Sequence, residues 1–380
     1  MATTDDALAA YLAGFLEEPG YLDYARRGPL SAAVLAEARA DEELLSRARF
    51  GSLDVLDTED ERFRAAAASL LGFPADQIVF QPNTSTGLMH TMFGLTGSVL
   101  VADTEFPSLP FAAVRAAQAL QELTVHWLGT DHGVVTPGEV RRQITGDTSA
   151  VAVSLVDYRT GHVADLDGIR QVIGDRLLIV DATQGLGVVD AAYPAADVVA
   201  AAGYKWLRAG RGTGLLAMSE RAIAAVTPVF SGFTGVEGGP RFDGAVEVAE
   251  PVHSVQAFTV SNPDEVAQAR LAAALEDVVA VGVDAVQRLV AEKAERIISL
   301  ADEFALPVVS PRPEHERAGI VVVRPAADRL TALAAELANH AVSVTVRDGA
   351  VRFSPHAGTA EESFEMLLGA LTSYATSTAG

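Results

Sequence analysis

The sequence predicts an α/β protein, with a mainly parallel sheet covered by helices in a large N-terminal part and a smaller α+β part at the C-terminus. Three observations carry this. Short apolar runs alternate with helix-spaced segments from about residue 77 to residue 205. The best of these runs are apolar throughout rather than at every second position, as in "AVAVSLV" and "LLIVDA". From about Asp264 the texture changes to a long helical pattern followed by paired short strands. A strand apolar on both sides is buried on both faces, which parallel strands joined by helical crossovers achieve.

The elements follow in order. "QIVFQ" (Gln77–Gln81) reads as a short strand, and "STGLMHTMFGL" (Ser85–Leu95) carries helix spacing. "SVLVAD" (Ser98–Asp103) is a strand, followed by a helix near Phe111–Glu122 and the strand "LTVHWL" (Leu123–Leu128). "GEVRRQI" is helical, Ala150–Val156 a buried strand, "LDGIRQVIG" helical and Leu177–Ala182 a strand again. "DVVAAAG" ends in Gly203-Tyr204-Lys205-Trp206, and a glycine-rich turn leads into a further apolar run. Asp264–Ala305 reads as a long helical region. It precedes "AGIVVVRP", a helix near Asp328–Asn339, the pair "VSVTVRDG" and "AVRFSP", and a last helix from Glu361. The loop "SGFTGVEGGPRFDGAVE" (Ser231–Glu247) is irregular enough to be functional. The division expected is an arm over 1–20, a large unit over 21–262 and a small unit over 263–380.

Composition narrows the function. The chain has 380 residues and a net charge of −22, which disfavours nucleic acid and anionic membranes as partners. An anionic ligand must then be drawn in by a local positive site. The start "MATTDDALAAYLAGF" does not read as a signal peptide, and no stretch reaches the roughly 18 apolar residues of a membrane span. A cytoplasmic enzyme is the expectation. There is no cysteine, so a thiol nucleophile and thiolate metal sites are excluded. His90, His126, His162 and His356 are scattered, with no metal-ligand spacing.

In a sheet of this kind ligands sit beyond the carboxyl ends of the strands. Three polar landmarks fall there: Asn83-Thr84-Ser85-Thr86, Asp181 with Gln184, and Lys205. Each has an ordinary reading, as a helix cap, a turn residue and a surface lysine. Their joint placement supports another. A helix N-terminus with hydroxyls binds phosphate, a carboxylate keeps a pyridinium protonated, and a lysine forms a Schiff base. These are the parts of a pyridoxal phosphate site.

Six blocks in order then resemble the class V aminotransferase family of fold type I pyridoxal phosphate enzymes: "YLDYARRGPLS", "FQPNTSTGLMH", "DTEFPSLPF", "VDATQGLG", "GYKWL" and "VRFSPHAGTAEE". The group includes cysteine desulfurases, kynureninases, isopenicillin-epimerase-like proteins and C–S lyases. The resemblance implies the fold type I architecture, with a seven-stranded type of sheet, and a homodimer. It implies that Lys205 carries the cofactor and moves the Cα proton, that Asp181 pairs with the pyridinium, and that Gln184 bonds the phenolic oxygen. Thr84, Ser85 and Tyr204 would hold the phosphate. Phe106 would stack on the ring, or be a core aromatic. Ser261 would reach the partner's phosphate. Arg352 would grip the substrate carboxylate, or be a surface arginine, and His356 would line the pocket. Arg26 and Arg27 either bind a second anionic group of the substrate or make salt bridges to nearby carboxylates. An amino acid is the implied substrate. The absence of cysteine removes a persulfide-forming nucleophile, and β-elimination from a cysteine conjugate is the reading preferred. Transamination, decarboxylation or epimerisation is the alternative, and a non-catalytic ligand-binding protein of the same fold is the alternative of another class.

Overall fold

The computed structural model describes residues 4–130, 133–239 and 248–378. A seven-stranded sheet is built from β1 (Ile78–Phe80), β2 (Gly97–Ala102), β3 (Leu123–Leu128), β4 (Thr148–Ser154), β5 (Leu177–Asp181), β6 (Val198–Ala202) and β7 (Gly214–Met218). Its order is β1-β7-β6-β5-β4-β2-β3. The pairs β3–β2, β2–β4, β4–β5 and β5–β6 are parallel, whereas β7 runs antiparallel to both β6 and β1. The exception has a local cause. Only the turn Gly203–Thr213 joins β6 to β7, with Gly210 and Gly212 at φ +82° and +85°. That connection holds no helix and is too short for a crossover, so the chain returns antiparallel.

The continuous apolar strands are explained by burial on both faces. Val151, Val153, Leu178, Val180, Val199 and Ala201 face one core. Their neighbours Ala150, Ala152, Leu177, Ile179, Val198 and Ala200 face a second core on the other side. The period-two alternation of a strand sends successive side chains to these two layers.

A three-stranded antiparallel sheet, ordered β8-β10-β9, is formed by β8 (Val321–Val323), β9 (Thr345–Arg347) and β10 (Ala350–Phe353). Val321, Val323, Val351 and Phe353 pack with the helices Leu330–Asn339 and Glu361–Thr378 in a third core. The long helical region from Asp264 consists of two helices, Glu265–Val281 and Val283–Glu303, broken at Gly282 with φ +89°. The first of them packs on the large sheet's core through Leu271, Leu275 and Val278. The helix Thr4–Ala13 does so through Tyr11. Of the loop Ser231–Glu247, residues 240–247 lie outside the described part.

Candidate active site

The strands β1, β2, β4, β5 and β6 all end on one edge of the sheet, and a cavity lies just beyond those ends. Each strand delivers part of its wall. After β1, Asn83 caps the helix Thr84–Gly94, its side-chain oxygen accepting the Thr86 N–H at 3.0 Å. The first-turn N–H groups of Thr84 and Ser85 have no partner within the helix, so this end of the cavity is an anion-binding end. The Thr84 hydroxyl lies 2.5 Å from that of Thr183, and the Ser85 hydroxyl 2.7 Å from that of Ser108.

Asp181 closes β5 and is buried, and its Oδ1 accepts the Thr183 N–H at 2.9 Å. Burial raises its pKa, opposed by the Thr183 hydrogen bonds and by Lys205. Gln184 is held at both ends: its Nε2 donates to the Ala25 carbonyl and its Oε1 accepts from Trp206 Nε1, each at 2.9 Å. One Nε2 hydrogen remains to face the cavity.

Lys205 follows β6 and is 5% exposed. Its Nζ lies 5.3 Å from the centre of the Phe106 ring and 5.7 Å from that of Tyr204. Burial pulls its pKa down to about 8, aided by Arg352 and opposed by Asp181. A lysine so placed is largely an ammonium at neutral pH but gives up its proton far more readily than a solvated one. Phe106 also meets Tyr158 edge-on at 5.2 Å. Tyr204 lines the cavity, and Arg211 lies 5.1 Å from its ring. A backbone contact fixes this loop. Gly28 N donates to Tyr204 O at 2.9 Å, and a Cβ on Gly28 would stand 2.0 Å from the Lys205 carbonyl oxygen. Only glycine allows that approach.

Arg352 reaches in from β10 and is 13% exposed at its side chain. It donates to the Tyr158 carbonyl at 3.1 Å and the Thr345 hydroxyl at 3.3 Å, with Asp23 at 3.7 Å. Its Nε is buried without a partner. A buried guanidinium with an unused donor is suited to a carboxylate ligand.

Four expected residues lie elsewhere. His356 is fully buried. Its Nε2 is 2.8 Å from the Trp206 carbonyl and its Nδ1 accepts the Ala357 N–H at 2.7 Å, so both ring nitrogens are taken. Burial drives its pKa down to about 3, and it packs against Phe15 and Tyr24 as a neutral core histidine, not a pocket residue. Arg26 and Arg27 line a separate surface cavity with Tyr21, Asp23 and Leu337. The Arg26 side chain is 75% exposed and pairs with Asp23 at 3.8 Å, in line with the salt-bridge reading. Ser261 is exposed and lines a wide groove away from this chain's own cavity.

Sequence reasoning missed Thr183, Trp206, Tyr158 and Glu105. Glu105 sits directly before Phe106, and its carboxylate accepts the Ser154 N–H at 3.0 Å. Although part of the residue meets solvent, the carboxyl is enclosed by protein, and this burial raises its pKa to about 7, with Asp181 and Asp157 adding to the rise. Nothing in "TEFPS" signals that enclosure. A folded-state pKa raised from 4.5 to about 7 stabilises the fold fully below pH 4.5, and that contribution is lost as pH rises through about 7. Glu105→Gln keeps the acceptor and removes the charge. We expect it to melt roughly 1–3 °C above the parent at pH 8, with the gain fading towards pH 5. An equal difference at both pH values would refute the ionised-carboxylate explanation.

The sheet order, the lysine beyond β6 and the carboxylate beyond β5 define a fold type I pyridoxal phosphate protein. Residues 56–356 match the aminotransferase class-V family model, and the chain belongs to that family. It is 27% identical over 298 residues to "Uncharacterized aminotransferase YcbU" of Bacillus subtilis, covering 76% of each chain. It is 28% identical to a kynureninase of Deinococcus radiodurans, covering 70% of this chain and 65% of the relative. Among solved structures, a cysteine desulfurase of Thermococcus onnurineus superposes with a TM-score of 0.81 at 21% identity, covering 92% of this chain and 93% of that one. The cystine C–S lyase C-DES, in complex with cysteine persulfide, superposes with a TM-score of 0.81 at 18% identity, covering 94% and 98%. Its cofactor is pyridoxal 5'-phosphate. No helix among the described residues is long and apolar enough to cross a membrane.

Proposed function

We propose that the protein is a pyridoxal phosphate-dependent lyase that cleaves a cysteine conjugate by β-elimination, with Lys205 as its proton-moving group. Bound pyridoxal phosphate would supply an aldehyde that condenses with an amine and a ring that takes up the electrons left at Cα. The first-turn amides at Thr84 and Ser85, with Tyr204, hold the phosphate end. Asp181 would pair with the ring nitrogen, and the free Nε2 hydrogen of Gln184 would serve the phenolic oxygen. Phe106 would cover the ring. Lys205 would hold the cofactor and serve as the base for the Cα proton, while Arg352 would hold the α-carboxylate.

The observation that carries the choice of reaction is the composition of the wall facing Lys205. Among the described residues that line the cavity, Lys205 is the one amine, and Phe106, whose ring lies 5.3 Å from the Lys205 Nζ, exchanges no proton. Removal of one proton by one base, followed by loss of a thiol, needs no second acid–base group on the opposite face; epimerisation does. The balance is conjugate plus water giving thiol, pyruvate and ammonium. Transamination, in which one lysine serves two neighbouring carbons, is the second reading, and the aminotransferase relative favours it. The absence of cysteine does not choose between them. The test is turnover of cysteine conjugates, cysteine sulfoxides, kynurenine and simple amino acids, with pyruvate, ammonia and keto acids all followed. Equimolar pyruvate and ammonia supports elimination, whereas a keto acid without ammonia overturns it. No turnover at all, with cofactor bound, would favour a ligand-binding protein.

The exposed position of Ser261 supports a homodimer in which each chain completes the other's phosphate end. Phe233 and Val260, 47% and 55% exposed, lie on loops tied by the Gly232 N–H to Thr259 carbonyl bond at 2.8 Å. An apolar rim beside the exposed Ser261 suits a self-complementary contact. Sedimentation should give a dimer at micromolar concentration, and Phe233→Asp should yield monomer with reduced cofactor retention. A fully active monomer would remove the assignment of Ser261.

A further inference from the structure

A second polar groove lies beside the cavity and shares with the reading above only Arg352. The small sheet builds one wall. Arg352 stands opposite Val322 and Thr345, and Ala350 opposite Arg347. Opposed residues share a face, and Arg324, two residues past Val322, continues that face beside Ala350. A methyl group thus separates two long cationic side chains and leaves the space between them open. The loop after β4 brings Tyr158 and Arg159 across from the other side. Tyr158 lines both this groove and the cavity of Lys205.

The charges in the groove are poorly matched. Arg159 is paired with Asp157 at 2.7 Å and donates to the Gly133 carbonyl at 2.8 Å. Arg352 has only Asp23 at 3.7 Å. Arg324 and Arg347 have no ion pair among the described residues. Asp348 is the one carboxylate on the described wall. Four guanidinium groups around one groove repel one another, in a chain whose net charge is −22. Low-dielectric walls lined by one sign of charge concentrate counter-ions, and planar guanidinium forks match the oxygens of carboxylate, sulfonate or phosphate.

We propose that the groove lined by Arg159, Arg324, Arg347 and Arg352 is a subsite for a compact oxyanion, supplied either by the distal acidic group of a dianionic amino-acid substrate or by a free ion. The substrate source rests on Arg352 holding the α-carboxylate; the groove itself does not. Two arms separate the sources, both on the cofactor-loaded protein. In the first, inorganic phosphate is titrated by calorimetry into the parent and into Arg324→Ala/Arg347→Ala, whose altered residues are exposed. Phosphate should bind the parent and bind the variant at least about tenfold more weakly, since each charged hydrogen bond lost is worth about that factor. In the second, the change in cofactor absorbance is titrated with L-alanine, L-glutamate, L-cysteate and O-phospho-L-serine. A fall of about tenfold or more in the variant's preference for the dianionic amino acids over alanine assigns the groove to the substrate. Weaker phosphate binding with that preference intact assigns it to a free ion. Phosphate binding that is absent or equal in both proteins, together with an unchanged preference, overturns the subsite. A protein without cofactor absorbance would instead overturn the pyridoxal phosphate assignment of the cavity, while the calorimetric arm would still report on the groove.

Discussion

Lys205→Ala is expected to lose turnover by at least about 10⁴-fold, the upper range for removal of a positioned proton-transfer group. Borohydride treatment should leave the cofactor attached to the parent and detached from the variant after denaturation. The expectation follows from burial. The Lys205 amine is enclosed, 5.3 Å from Phe106, with its pKa pulled down to about 8, so it is both available as a nucleophile and restrained from reaching water. Among the described residues no other amine lines the cavity, so nothing there replaces it. Cofactor still covalently trapped in the variant would sink the assignment. The fold should survive the change. Removing a buried cation relieves desolvation, and the apoprotein's melting temperature should not fall by more than a few degrees.

Asp181→Asn should separate function from stability in opposite directions. Turnover should fall by about 10²–10³-fold, as for loss of one preorganised electrostatic partner of the reacting system. The apoprotein should become more heat-stable above neutral pH. The sign follows from the raised pKa: a buried carboxyl that prefers its proton stabilises the fold fully below pH 3.8, and this is lost as pH rises through its folded value. Asparagine keeps an acceptor for the Thr183 N–H and carries no charge to desolvate. A variant that loses both stability and activity would mean that Asp181 is chiefly a structural residue.

Much of this site was legible because its residues follow strands that are themselves legible. Asp181 and Lys205 come immediately after apolar runs buried on both faces, and Thr84 and Ser85 open a helix just after another. The sequence therefore located them along the chain and at one edge of the sheet together. What it could not show depends on packing between distant segments. His356 was expected in the pocket because it follows the arginine block, yet Phe15, Tyr24 and Trp206 enclose it. Arg26 and Arg27 adjoin the cavity wall in sequence, but the turn Asp23–Arg27 carries their side chains to another surface. Nothing in the sequence sets Glu105 apart, and only the neighbouring β4 amide and the enclosing walls make it unusual. The split at Gly282 was readable in principle, since glycine is there and φ is +89°, but helix spacing on both sides concealed it.

The tie between Gly28 and the lysine loop bears on how the protein is made. The segment Gly20–Ala25 is held by residues 343 and 354, through Leu22 N to Ser343 O, Ser354 N to Leu22 O and Ala25 N to Ser354 Oγ. The wall beside Lys205 is thus joined from three pieces far apart along the chain, at residues 20–28, 204–205 and 343–354. Loop closure over such separations is slow and follows local folding. The large sheet can form while the chain is still being extended, but the wall is complete only after residue 354 has emerged. The nascent protein therefore passes through a stage in which its reactive amine is built and its enclosure is not. A cofactor arriving at that stage would meet the lysine loop before Gly28 is bonded to it.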